Sequence, residues 1–178
     1  RGAPNISCWR GHRSRRSDIA VRGRSWLGRR ANSVCAMKAA ILIESLTGNT
    51  WRAGELIASN LQQEGWQISG FAPMKDPDHA AIQAADVVVV GTWVHGLFVV
   101  GQKPWGIDNL RGLPSMAGKK VAGFCTYALN PGKSLDVITR ELLSTGGEVI
   151  GGLTLQRGRL AAHTEEFAAR LADAVTSA

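Results

Sequence analysis

Apolar and polar positions alternate along this chain in blocks that change period, and the blocks predict elements. Ala39–Ile43 is an unbroken apolar run, long enough for one buried strand. From Trp51 to Glu64 the period changes, with Ala53, Ile57 and Leu61 recurring four apart, which is the spacing of one helix face. Gly65 is a helix stop, and Trp66–Phe71 reads as a short strand of partial alternation. Lys75–His79 is a turn, and Ala80–Ala85 a short helix. Val87–Gly91 (VVVVG) then predicts a central strand, because four consecutive β-branched residues suit a sheet covered on both faces. Thr92–Arg111 reads as a long connection. Lys119–Phe124 predicts a further strand, Pro131–Thr145 a helix with Leu135, Ile138 and Leu142 on one side, Glu148–Leu155 the last strand, and His163–Val175 the last helix. Strands separated by helical segments predict an open α/β sheet rather than a barrel or sandwich.

Composition divides the chain at Met37. Residues 1–36 hold nine Arg, no Lys and the single acid Asp18, so the whole chain's formal charge of +7 leaves −1 for residues 37–178. The basic character belongs to the tail alone. Its runs Arg10–Arg16 and Arg22–Arg30 lack a folded scaffold for reading nucleic acid, and the expectation is a basic disordered tail or a mis-extended start, followed by one domain over 37–178. No apolar run approaches the twenty or so residues of a spanning helix. Cys8, Cys35 and Cys125 form no CxxC and no disulfide scaffold, so a cytoplasmic compartment is the default. His79, His95 and His163 are scattered, with no metal-ligand or Ser-His-Asp spacing, and catalysis by side chains is not expected.

The chemistry concentrates at the ends of three predicted strands. Between the first strand and the first helix lie Ser45, Thr47, Gly48, Asn49 and Thr50. A hydroxyl-rich turn at a helix N-terminus offers backbone N–H groups and a favourable dipole to an anion, and no Lys or Arg lies between Ser45 and Thr50. A phosphate here would sit on a neutral cradle. The turn matches neither GxxxxGK[ST] nor GxGxxG, and an ordinary capped turn is the bland alternative for such a motif standing alone. Open α/β sheets bind ligands beyond the C-terminal strand ends, where Thr92–Phe98 and Thr126–Gly132 also fall. Trp93, His95 and Tyr127 come to a comparable level there, so a flat ring could lie between side chains with its phosphate on the first turn.

With these segments in place, the chain resembles the flavodoxin-like family of short FMN-binding domains. SLTGNT, Ser45–Thr50, is similar to that family's phosphate loop; the similarity runs from Lys38 to about Ala174 and takes in GTWVHG (Gly91–Gly96) and FCTYALNPG (Phe124–Gly132). The resemblance implies a five-stranded parallel sheet of order 2-1-3-4-5 with helices on both faces. It implies FMN as cofactor, held by Ser45, Thr47, Gly48, Asn49 and Thr50 at the phosphate, by Thr92, Trp93, Val94, His95 and Gly96 on one side of the ring, and by Thr126, Tyr127, Asn130 and Gly132 on the other. It further implies a monomer that passes single electrons between a reductase and an acceptor enzyme, with no nucleic acid or membrane as partner. An NAD(P)H-dependent quinone or FMN reductase, or a flavin-storage module, is the alternative. Two departures stand out: the core is nearly neutral where carriers of this family look acidic, and the loop after Val90 continues into the apolar LFVVG, Leu97–Gly101.

Individual residues carry further expectations. Tyr127 is assigned to stacking on the ring, while His95 reads as a partly exposed loop histidine. Cys125 reads as a small packing residue, with no second core cysteine and no cation nearby to lower its pKa. Asp86 reads as a strand-start residue, and Trp51 and Trp66 as packing. Glu44 would repel a phosphate and is expected to turn away or to pair. Thr47 and Thr50 are expected to face ligand and solvent.

Overall fold

In a computed structural model, residues 36–95 and 103–177 of the chain are described. The elements are β1 (Lys38–Ile43), α1 (Asn49–Gln63), β2 (Gln67–Pro73), α2 (His79–Ala84), β3 (Val87–His95), β4 (Lys103–Pro104), α3 (Ile107–Arg111), β5 (Lys120–Tyr127), α4 (Ser134–Ser144), β6 (Glu148–Gln156), a 3-10 turn at Arg157–Arg159, and α5 (Leu160–Thr176). Five strands pair in parallel in the order β2-β1-β3-β5-β6, and β4 adds a two-residue antiparallel pairing to the end of β3. With that short strand set aside, the order is the expected 2-1-3-4-5. The expectations for residues 1–35 lie outside the described residues.

The central strands β1, β3 and β5 are apolar on both faces because helices cover both. One face carries Ile41, Ile43, Val89 and Phe124 against Ala53, Ile57 and Leu61 of α1 and Phe167 and Leu171 of α5. The other carries Leu42, Val88, Val90 and Cys125 against Ile82 of α2, Leu110 of α3, and Ile138 and Leu142 of α4. Successive residues of a strand point to opposite faces, which is why the continuous apolar runs of β1 and β3 supply both layers at once. Gly91 shows how closely these layers fit: a Cβ there would lie 2.2 Å from the Phe124 ring, which meets Phe167 edge-on at 5.7 Å. The bare backbone at Gly91 makes room for that aromatic pair.

The helix and strand assignments stand with shifted ends, and the largest shift is at β3. The sequence reading stops the strand at Gly91 and makes Thr92–Arg111 a connection, whereas β3 continues to His95. Its backbone keeps finding partners: Thr92 aligns with Cys125, Trp93 with Thr126, and Val94 with Pro104 of β4. Hydrogen bonds to neighbouring strands, not local side-chain preference, decide where it ends. β5 likewise runs on through Cys125, Thr126 and Tyr127, which the sequence reading leaves to a loop. Gly106 precedes α3, a helical turn inside the same expected connection.

Several packing expectations hold. Trp51 meets Phe71 edge-on at 4.8 Å, and Trp66 lies in the core. Asp86 sits at the start of β3 and its Oδ2 accepts from the Lys38 backbone N–H at 2.9 Å.

Candidate functional site

The order of the parallel strands reverses between β1 and β3, so their connections leave in opposite directions and open a crevice at the C-terminal strand ends. The turn from β1 into α1 lies at this crevice. Gly48 occupies the N-cap with φ of 81°, a left-handed conformation that side chains disfavour, and no side chain caps the helix. The first-turn N–H groups of a 15-residue helix are thus left without a side-chain acceptor, and no acid occupies that turn. A Cβ built on Gly48 would meet nothing within 4 Å, so space is open above the turn. Ser45 adds a second feature: its Oγ is buried and has no hydrogen-bond partner. A buried hydroxyl without a partner loses about 1–3 kcal/mol, which an anionic oxygen accepting its proton would restore. The residues present therefore fit a phosphate.

Among the other residues of this turn, Thr47 is exposed and its Oγ1 accepts from Asn49 Nδ2 at 3.1 Å. Thr50 departs from its expected exposure. It is 1 % exposed, and its Oγ1 lies 2.8 Å from Oγ1 of Thr126, itself fully buried. The first turn of α1 brings Thr50 over β5, so its hydroxyl ties helix to sheet; what it presents outward is backbone.

Glu44 turns away as expected. Its Oε2 accepts from Asn109 Nδ2 of α3 at 2.8 Å, while its backbone N–H donates to the Gly91 carbonyl. The carboxylate is held beside an amide and off the phosphate turn. Arg52, two residues past the neutral stretch Ser45–Thr50, is exposed in the first turn of α1, within one helical turn of the uncapped N–H groups. The cradle is neutral, with a cation at its border.

The second group divides. Thr92 is buried and donates from Oγ1 to the Trp105 carbonyl at 2.5 Å, which fastens β3 to the segment after β4. Val94 packs on the face that carries Val88 and Val90. Trp93 stacks on Trp105 with ring centroids 5.5 Å apart and 28° between planes, and its carbonyl accepts from the Trp105 N–H. His95 pairs through its backbone with Lys103, and Gly96 and Leu97–Gly101 lie outside the described residues.

In the third group, Tyr127 is 8 % exposed at the end of β5, and burial pushes its phenol above the ordinary value; nearby Cys125 adds to this and Arg159 opposes it. Strand alternation puts Trp93 on the face of Val89 and Tyr127 on the face of Cys125. Trp93 and Tyr127 reach a comparable level of the sheet, since Trp93 aligns with Thr126, but they start from opposite faces. A ring between them would have to stand at the sheet edge, where the strands end. Beyond Tyr127 the chain turns through Asn130, whose Oδ1 accepts from the Gly132 N–H at 2.9 Å, and Gly132 has φ of 53°. Cys125 is fully buried, and desolvation pushes its thiol up to about 12, in keeping with a packing residue.

A separate cleft of about 830 Å³ opens between the Pro104–Arg111 segment and α4. Across it Arg111 grips Glu141 through Nε and Nη2 at 2.9 and 2.8 Å, and this hydrogen bonding holds the Glu141 carboxyl below its usual range. No residue of the phosphate turn lines this cleft. Among the described residues there is no helix long and apolar enough to cross a membrane, and no cluster of three or more metal-ligating side chains.

An open parallel α/β sheet of this order, with a hydroxyl turn at its switch point, defines a flavodoxin-like protein. The chain belongs to the flavodoxin domain family, whose model matches residues 40–177. Solved structures agree on the fold. Oxidised Flavodoxin 2 from Bacillus cereus superposes with a TM-score of 0.61 at 22% identity, covering 76% of this chain and 98% of that one. Two-electron reduced Megasphaera elsdenii flavodoxin gives 0.61 at 21%, over 79% and 99%. Rubredoxin oxygen:oxidoreductase from Desulfovibrio gigas gives 0.56 at 17%, over 78% of this chain and 37% of that one. No curated protein sequence matches the chain.

Proposed function

We propose that this domain binds FMN at the β1–α1 turn and carries single electrons between a reductase and an acceptor protein. The buried, unpartnered Ser45 hydroxyl beneath an uncapped helix N-terminus carries the reading, because a terminal monophosphate supplies the acceptor that both features lack. Family membership supports a flavin at this position, and flavodoxins are themselves an instance of the switch-point rule. Bound FMN supplies the redox chemistry, since it takes up and returns electrons one at a time.

The chain's residues do the rest. Ser45, Thr47 and the first N–H groups of α1 hold the phosphate, with Gly48 allowing close approach. Trp93 and Tyr127 bound the edge where the ring would stand, and the backbone of Thr126–Gly132 offers hydrogen bonds to its polar rim. Buried Thr50, Thr92 and Thr126 keep the strand ends fixed, so the ring meets preset dipoles when its charge changes. Glu44, held by Asn109, keeps its negative charge off the phosphate.

Acid release followed by chromatography should return FMN, and stepwise anaerobic reduction followed by absorbance should show two separated one-electron steps. Recovery of FAD, or of no flavin after reconstitution, would sink the assignment. A single two-electron step with rapid NAD(P)H-dependent turnover of a quinone would replace the carrier by a reductase.

A further inference from the structure

We infer that the C-terminal edge of the sheet, from β1 across to β6, is a docking face for an acidic electron-transfer protein; this rests on the carrier reading above. Two of the most exposed large apolar side chains stand on this edge. Leu46 in the β1–α1 turn is 72 % exposed, and Leu129 after β5 is 69 % exposed. Only β3 lies between β1 and β5, so the strands that lead into the two loops stand about 10 Å apart, two strand spacings. They bracket the crevice. An exposed leucine alone means little, but a pair flanking a redox crevice suits a partner that must approach it closely.

Cations outnumber acids beside them. Lys133 follows the Asn130–Gly132 turn, and Arg157 and Arg159 lie in the 3-10 turn that leaves β6 at the same end. Lys133 and Arg159 are exposed, and none of the three forms an ion pair among the described residues. Arg157 also has a buried Nε without a hydrogen-bond partner. Two exposed acids stand on the helices that follow the cations, Asp136 in the first turn of α4 and Glu165 in α5. Of the other acids at this end, Glu44 is bonded to Asn109, Asp78 caps α2, Asp76 lies beyond β2 at the far edge, and exposed Asp108 of α3 stands 3.6 Å from Arg111. The rim over β5 and β6 thus carries a net positive charge although the domain as a whole does not. Such a patch steers an acidic surface towards the crevice, and the two leucines give the encounter a dry contact. Nucleic acid would use the cations but has no use for the leucines.

The test uses the FMN-loaded full chain, so the arginine tail is common to every variant. Reduced plant-type ferredoxin, an acidic one-electron donor, is mixed anaerobically with it in a stopped-flow instrument; the iron–sulfur cluster loses one electron and the flavin gains it. Lys133→Glu/Arg159→Glu should slow this exchange about tenfold at low salt, and the difference should vanish at about 0.5 M salt. Lys38→Glu/Arg140→Glu makes the same change of charge away from the rim and should stay within about twofold of the native rate. Equal slowing in both pairs, or an unchanged rate in the rim pair, overturns the docking face. It is equally overturned if the rim pair keeps its ferredoxin rate and loses only affinity for duplex DNA. Absence of bound FMN, or of any exchange by the native chain at every salt concentration, overturns the carrier reading and the docking face with it.

Discussion

Ser45 and Thr50 stand at the two ends of one turn and look alike in the sequence, yet their hydroxyls have opposite roles. Ser45 Oγ is buried without a protein partner, and Thr50 Oγ1 is satisfied by Thr126. Substitution should separate them. Ser45→Ala removes a hydrogen bond to a charged group, worth about 1.5–3 kcal/mol, or roughly 10- to 150-fold in FMN affinity, without destabilising the flavin-free protein. Thr50→Val keeps the shape but strands the Thr126 hydroxyl, costing about 1–3 kcal/mol of stability, most of it recovered when Thr126→Val is added. Flavin fluorescence quenching and urea melts read the two effects; equal behaviour of the two single variants would contradict the geometry. The residue types of the turn were legible from their order. Which hydroxyl turns inward was not, because that depends on β5, seventy-six positions away.

Elements meet at sites that spacing alone does not mark, and His163 is one. It lies in the first turns of α5, where Nδ1 accepts the Gln156 backbone N–H at 3.0 Å and so closes the end of β6 onto the helix. Burial lowers its pKa below the ordinary 6.5, with Arg159 acting in the same direction and Glu166 opposing. The folded state therefore takes up its proton at lower pH than the unfolded chain. The stability linked to His163 is present in full above about pH 6.5 and is lost as pH falls through the lowered value. The melting temperature should drop between pH 7.5 and 5.5, and His163→Gln, which carries no charge at either pH, should flatten that drop. A drop of the same size in the variant would assign the dependence to other groups. The extension of β3 to His95 teaches the same lesson at the level of the strand: the β-branched run marks its middle, while pairing with β4 and β5 sets its end.

At the scale of the whole molecule, the compositional break at Met37 stands next to β1, the first strand among the described residues, and the Met37 carbonyl accepts from Gln67. Removal of residues 1–36 should leave flavin content and melting temperature unchanged; a truncated chain that loses its cofactor or precipitates would make the tail part of the domain. By itself the sequence determined the class of fold, the five parallel strands, the helices α1, α2, α4 and α5, and the position of the hydroxyl-rich turn between β1 and α1. These follow from local periods and from the types of a few adjacent residues, and both survive without knowledge of neighbours. Only the tertiary structure decided the Thr50–Thr126 bond, the stacking of Trp93 on Trp105, the pairing of Glu44 with Asn109, and the placing of Lys133, Arg157 and Arg159 at the same end of the sheet as Leu46 and Leu129. Each joins residues from separate elements, and their adjacency is set by the strand order and by the face that each side chain takes, neither of which the local pattern contains.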